Sequence, residues 1–74
     1  MSDELIELTE ENRLSREAAA ARLRQLADQL SRHNEVAFSR GGMRYTVDVP
    51  DTVMLKVELE LGDDENELEI EITW

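Results

Sequence analysis

Five glutamates near the end of the chain are the residues most able to do chemistry. They alternate with Val, Leu and Ile, and they are Glu58, Glu60, Glu67, Glu69 and Glu71. Because alternate residues of a β-strand point to the same face, this pattern predicts a row of carboxylates on one side of a hairpin. Such a row has three interpretations: a solvated face, a face that binds a basic protein, or weak cation ligands at Glu58, Glu60, Glu69 and Glu71.

The cation interpretation is the weakest of the three. The loop GDDENE, at residues 62–67, lacks the regular oxygen spacing of an EF-hand. Carboxylates along strands also rarely converge on one ion. We therefore name no firm metal ligand, and a divalent-cation module stays only as the alternative function.

The remaining residues do not form a catalytic pattern. The chain has no Cys, and its single histidine, His33, lies beside Arg32 at the end of a predicted helix. The pair Gly41-Gly42 is too short for a phosphate-binding loop and suits a tight turn. We therefore predict no catalytic residue, no cofactor and no enzyme activity.

One helix is predicted, over the segment LSREAAAARLRQLADQLSRHN at residues 14–34. Ser15 is the expected N-cap, and Asn34 suits the left-handed position that ends a helix. Apolar side chains recur at spacings of three and four along one stripe. These are Ala19, Leu23, Leu26, Ala27 and Leu30.

Strands are predicted on both sides of this helix. The segment DELIELTEE, at residues 3–11, alternates enough to predict a short first strand. Residues 35–50 predict a hairpin turning at Gly41-Gly42, and residues 53–74 predict a second, longer hairpin. We expect Gly62 to pair with Glu67 in the second hairpin, which places Glu58 opposite Glu71, Glu60 opposite Glu69 and Leu55 opposite Trp74.

These elements predict a single α+β domain over residues 1–74. Its order is β-α-β-β-β-β, with one helix packed on a mainly antiparallel sheet in two layers. A helix about 10 Å wide cannot cover five strands that span roughly 20 Å. Either the long hairpin curls around the helix in a monomer, or a second copy covers the remainder in a homodimer.

The charge of the chain limits its partners and its setting. Eighteen acidic and eight basic residues give a net charge of −10, and Lys56 is the single lysine. This balance predicts no binding to nucleic acid and none to anionic membranes. An acidic start unlike a signal peptide indicates a cytoplasmic protein. An acidic chain whose bases are almost all Arg favours a salt-adapted (halophilic) protein, and the alternative is an ordinary acidic soluble protein.

The sequence also resembles a known family in three segments. They are LSREAAAARLRQLADQL (residues 14–30), VDVPDTVMLKVELE (47–60) and ELEIEITW (67–74), which with their turns cover nearly the whole chain. The chain resembles the amphi-Trp domain family, whose members end in an amphipathic strand with a C-terminal Trp. Ala18 and Lys56 stand where acidic residues are common in relatives. The resemblance implies the α+β fold and no particular activity.

The expected function is therefore a small acidic, non-catalytic interaction or accessory module. Its partners are expected to be a second copy of itself or a basic protein that binds the glutamate face. Leu68, Ile70, Ile72 and Trp74 are expected to form one buried inward row. Trp74 then has a structural role, because a buried indole would hold a chain end that otherwise frays.

Overall fold

The computed structural model describes residues 6–74. Over this range the chain forms one helix followed by four strands. They are α1 (Arg16–His33), β1 (Glu35–Arg40), β2 (Met43–Asp48), β3 (Met54–Leu61) and β4 (Asn66–Thr73). Helix and antiparallel strands therefore make an α+β fold, as predicted.

Both ends of α1 are determined by local side-chain chemistry. The hydroxyl of Ser15 accepts a hydrogen bond from the backbone N–H of Ala18 at 3.0 Å, which satisfies one free donor of the first turn. Asn34 adopts the left-handed conformation with φ 55°, and its N–H donates to the Leu30 carbonyl at 3.2 Å. The predicted caps are thus confirmed.

The hairpin β1–β2 turns at two glycines. Arg40 pairs with Met43, and between them Gly41 and Gly42 have φ of 59° and 80°. Two consecutive positive φ angles match the twist of a two-residue hairpin turn, and glycine adopts them without steric cost. This hairpin and its turn are confirmed.

The first hairpin is attached to the helix at two points. The Gln29 side-chain oxygen accepts a hydrogen bond from the Ala37 N–H at 3.2 Å. Val49 N–H donates to the Asn34 carbonyl at 2.8 Å. Val36 and Phe38 of β1 lie half-buried beside the half-buried Leu26 and Leu30 of the helix. Among the described elements, α1 packs only against β1.

The second hairpin forms with a register that differs from the predicted one by two residues. Leu61 pairs with Asn66 and Glu58 pairs with Glu69, so the turn comprises residues 62–65. The Gly62 N–H donates to the Glu65 carbonyl at 3.1 Å and lies 3.3 Å from the Asn66 side-chain oxygen. The Asn66 side chain thus supports an earlier turn. A shift by two leaves every residue on its predicted face.

The predicted first strand is wrong over its described part. Residues 6–11 form no strand, and the rest of DELIELTEE lies outside the described residues. Instead, the Glu10 carboxylate accepts two hydrogen bonds from the Arg22 guanidinium, both at 2.9 Å, and Leu8 is half-buried. A side-chain ion pair, rather than a backbone ladder, therefore holds this segment against the helix.

The four strands form two separate two-stranded sheets, β1–β2 and β3–β4, rather than one continuous sheet. No Cα atom of β3 or β4 lies within 8 Å of a Cα atom of α1, β1 or β2. Among residues 6–74, no side chain reaches full burial. The apolar residues expected to point inward therefore share a face, but the part of the chain that the structure describes does not bury them fully.

Candidate interaction surface

The hairpin β3–β4 separates its side chains onto two chemically different faces. We call one the acidic face: Lys56, Glu58, Glu60, Glu67, Glu69 and Glu71. We call the other the apolar face: Leu55, Val57, Leu59, Leu61, Leu68, Ile70 and Ile72. The strict alternation of the sequence produces this separation, because successive residues of a strand point to opposite sides.

On the acidic face, like charges are opposed at two places. Glu58 pairs with Glu69 and Glu60 with Glu67 across the ladder, whereas Lys56 pairs with Glu71. The predicted opposition of Glu58 with Glu71 and of Glu60 with Glu69 is wrong, because the register differs by two. The Lys56 ammonium also lies 3.8 Å from the Glu58 carboxylate, and both side chains are exposed. The lysine thus offsets part of the repulsion.

The glutamates do not converge on a metal site. Within residues 6–74, no three His, Cys, Asp or Glu side chains lie close enough to hold one metal ion. Carboxylates spaced along a pleated strand point outward in parallel, which keeps their oxygens apart. This geometry gives no support to Glu58, Glu60, Glu69 and Glu71 as cation ligands.

The apolar face is exposed along almost its whole length. Its exposed side chains range from 46% exposure at Ile70 to 73% at Leu61, and only Ile72 is half-buried. Large apolar side chains scattered singly on a surface are ordinary, but a continuous row of them is typical of an interaction surface.

A groove continues this face towards the helix. It has a volume of about 500 Å³ and separates the helix and β1 from the end of β4. All of its lining residues are apolar: Leu23, Leu26, Ala27, Leu30, Val36, Phe38, Ile70, Ile72 and Trp74. Ile70 and Ile72 belong to both the apolar face and the groove, so the two form one continuous surface.

Trp74 lines this groove but is not buried. Strand β4 ends at Thr73, and the indole of Trp74 is 57% exposed. The prediction of a buried inward row ending at Trp74 is therefore wrong for a single chain. The alternation placed these side chains on one face correctly, but nothing within residues 6–74 buries them fully.

A charged cluster that the sequence analysis missed lies in the first half of the helix, beside the groove residue Phe38. The Arg22 guanidinium pairs with Glu10 and lies over the Phe38 ring, 5.9 Å from its centroid. The hydrogen bond from Arg22 has the largest effect and lowers the pKa of Glu10; desolvation opposes it, and the positive charge of Arg22 lowers the pKa by a smaller amount. No local pattern links Glu10 to Arg22, which is 12 positions away.

His33 lies in the last turn of the helix, where the sequence placed it, and it is exposed. Over residues 6–74, no helix is long and apolar enough to cross a membrane. The exposed apolar face of β3–β4 and the groove beside it form the candidate functional surface.

The fold and this surface define a small α+β domain whose last hairpin is amphipathic and is followed by a C-terminal Trp. The chain belongs to the Amphi-Trp domain family, whose model matches residues 1–74. Neither the curated proteins nor the solved structures contain a match to this chain.

Proposed function

We propose that this protein is a non-catalytic interaction module that associates through the apolar face of β3–β4. One observation carries the proposal: six apolar side chains of this hairpin are exposed to solvent in one continuous row. Burying apolar surface contributes roughly 25 cal/mol per Å², so a partner that covers this row gains substantial free energy.

The isolation of the hairpin supports the same proposal. A two-stranded hairpin is at best marginally stable in water, and β3–β4 receives no backbone packing from the other described elements. An added layer on its apolar face would provide the cover that the helix does not. The two-layer packing expected from the sequence is part of this proposal, with the second layer supplied by the partner.

The acidic face then points away from that contact. Its five glutamates remain hydrated, and the net charge of −10 keeps the module soluble in a salt-rich cytoplasm. At about 1 M salt, charges are screened over roughly 3 Å, which permits Glu58 to stand opposite Glu69.

A basic protein that binds the acidic face is a second candidate function. The observation that favours it is the opposition of Glu58 with Glu69 and of Glu60 with Glu67. Directly opposed like charges destabilise a hairpin, and a basic partner would relieve that repulsion. Arginine side chains on such a partner would pair with the carboxylates through their planar fork.

Site-specific photo-crosslinking in cells tests which face is used. A photo-crosslinking amino acid replaces Leu59 on the apolar face or, as a matched control on the same strand, Glu60 on the acidic face. We expect a defined protein adduct from position 59 and little from position 60. An adduct from position 60 alone would favour the basic partner, and no adduct from either position would contradict the interaction module.

A further inference from the structure

We propose that the partner covering the apolar face is a second copy of this chain, in a pair related by a twofold axis. The inference rests on the proposed interaction module and identifies its partner. In this pair the apolar face of each chain packs into the groove of the other. Three independent features of the molecule support it.

The first feature is the amount of surface left exposed. A folded monomer of 8.5 kDa is expected to expose about 4,700 Å². This chain exposes 7099 Å², which is about 2,400 Å² more than that expectation. Permanent dimers bury about 1,000 to 2,500 Å² on each partner, so the excess has the size that one obligate dimer interface would remove.

The second feature is the distribution of charge. The apolar face and the groove carry no charged side chain, and Asn66 is the polar residue that pairs on this side of the hairpin. The carboxylates lie on the opposite face. Two chains of net charge −10 can therefore meet through a charge-free surface while their glutamates stay apart in solvent.

The third feature is self-complementarity. A twofold interface requires that the same surface patch serves on both chains. One chain presents both a ridge, formed by Val57, Leu59 and Leu68, and an apolar groove of about 500 Å³. The ridge of each chain enters the groove of its partner, so the same ridge-in-groove contact occurs twice in the pair. A copy of the same chain is also present wherever the protein is made.

In this pair Trp74 acts as an apolar anchor of the interface. It lines the groove at the chain end and is 57% exposed in one chain. The ridge of the second copy covers the indole, which is a large apolar anchor of the kind that dominates interface energetics. The structural role assigned to Trp74 from the sequence is thereby carried out between chains rather than within one.

Sedimentation equilibrium of the purified full chain tests the pair, over roughly a hundredfold range of concentration. We expect twice the chain mass of 8.5 kDa. Leu59→Glu should raise the dimer dissociation constant by roughly thirtyfold or more. Thr73→Glu, which adds the same charge on the opposite side of the hairpin, should leave the constant within about threefold. A monomeric wild-type protein, or a dimer unaffected by Leu59→Glu, overturns the inference.

A distance measurement between spin labels leaves the interface residues unchanged. It therefore tests the pair even if Leu59→Glu fails to fold. The chain has no Cys, so Glu58→Cys allows one spin label on the acidic face. We expect one narrow interchain distance in the dipolar spectrum, and a signal without interchain coupling overturns the pair. A monomer that still gives an adduct of another protein from position 59 would reject this inference and keep the interaction module.

Discussion

At the scale of single residues, Arg22 has two partners that come from distant parts of the chain. It donates two hydrogen bonds to Glu10 and lies over the Phe38 ring. The ion pair attaches residues 6–15 to the helix, and Leu8 becomes half-buried beside it. The Arg22 guanidinium thus attaches this segment to the rest of the fold, whereas the sequence predicted that a first β-strand would do so.

The ion pair makes the attachment of this segment dependent on pH. The pKa of Glu10 is lowered in the folded state, so its stabilising effect is complete above the ordinary glutamate pKa and is lost as the pH falls through the lowered value. The Leu8 methyl resonances should titrate with a midpoint below that ordinary value. Glu10→Gln should abolish this transition, and Glu11→Gln should keep it. A midpoint at the ordinary value would contradict the pairing.

Trp74 gives the interface a spectroscopic signal, because it is the only tryptophan of the chain. In the dimer the indole is covered, and on dilution it becomes exposed to water. We expect the fluorescence maximum to move to longer wavelength on dilution, in parallel with the loss of the dimer mass. An emission maximum that is the same at all concentrations would contradict the burial of Trp74 between chains.

Removing the indole should weaken the pair. Truncating a central aromatic residue of an interface costs about 2 kcal/mol or more, which is roughly thirtyfold in the dissociation constant. We expect this loss for Trp74→Ala in sedimentation equilibrium, and a much smaller one for Tyr45→Ala, since Tyr45 lies on β2 and does not line the groove. Equal effects of the two substitutions would argue against a special role of Trp74.

At the scale of elements, the register of β3–β4 decides which charges oppose each other. Glu58 stands opposite Glu69, and Glu71 stands opposite Lys56. Glu60 likewise stands opposite Glu67, away from the lysine. Glu60→Lys should therefore stabilise the protein by about 0.2 to 1 kcal/mol in urea unfolding, because an opposed like-charge pair becomes an attractive one. Adding Glu67→Gln should remove most of this gain, whereas adding Glu69→Gln should remove little. The reverse result would support the register shifted by two.

Local signals were enough to predict the helix and the first hairpin. Ser15 and Asn34 mark the two ends of the helix through hydrogen bonds to residues a few positions away. Gly41 and Gly42 form the hairpin turn because both adopt positive φ angles. The register of the second hairpin was less determined, because a shift by two preserves both faces. The side chain of Asn66, which bonds back to Gly62, selected the observed turn.

The contacts that could not be predicted are those between distant residues. The pairing of Glu10 with Arg22 leaves no periodic pattern, so alternation alone made residues 3–11 resemble a strand. Alternation likewise showed that Leu68, Ile70 and Ile72 share a face, but it carries no information on what covers that face. The expected burial of this row assumed a cover that the described chain does not provide.

At the scale of the whole molecule, charge repulsion should make stability depend on salt. The chain has eighteen acidic and eight basic residues, so its excess negative charges repel one another. This repulsion is stronger within a pair of chains. Adding KCl up to about 1 M should raise the melting temperature, since the screening length falls to roughly 3 Å. Sucrose at matched water activity controls for nonspecific stabilisation. A melting temperature that is insensitive to KCl would contradict salt adaptation.

The arrangement of the described elements leaves one side of the chain apolar. Two small sheets and one helix leave an apolar face and an apolar groove open on the same side of the chain. In the proposed pair a second copy supplies the matching surface, and the glutamates lie on the outside. We propose that the amphipathic hairpin is an association element and that its charged face makes association stronger in concentrated salt.

An isotope-filtered NOE experiment detects the contact between two chains itself. A sample that mixes ¹³C-labelled and unlabelled chains shows only contacts between chains. We expect interchain cross-peaks from the Leu59 methyl groups of one chain to Leu26 and to the Trp74 indole of the other. Leu59 belongs to the ridge, whereas Leu26 and Trp74 line the groove that receives it. A spectrum without interchain cross-peaks, at a concentration where the apolar face should be covered, would contradict the account.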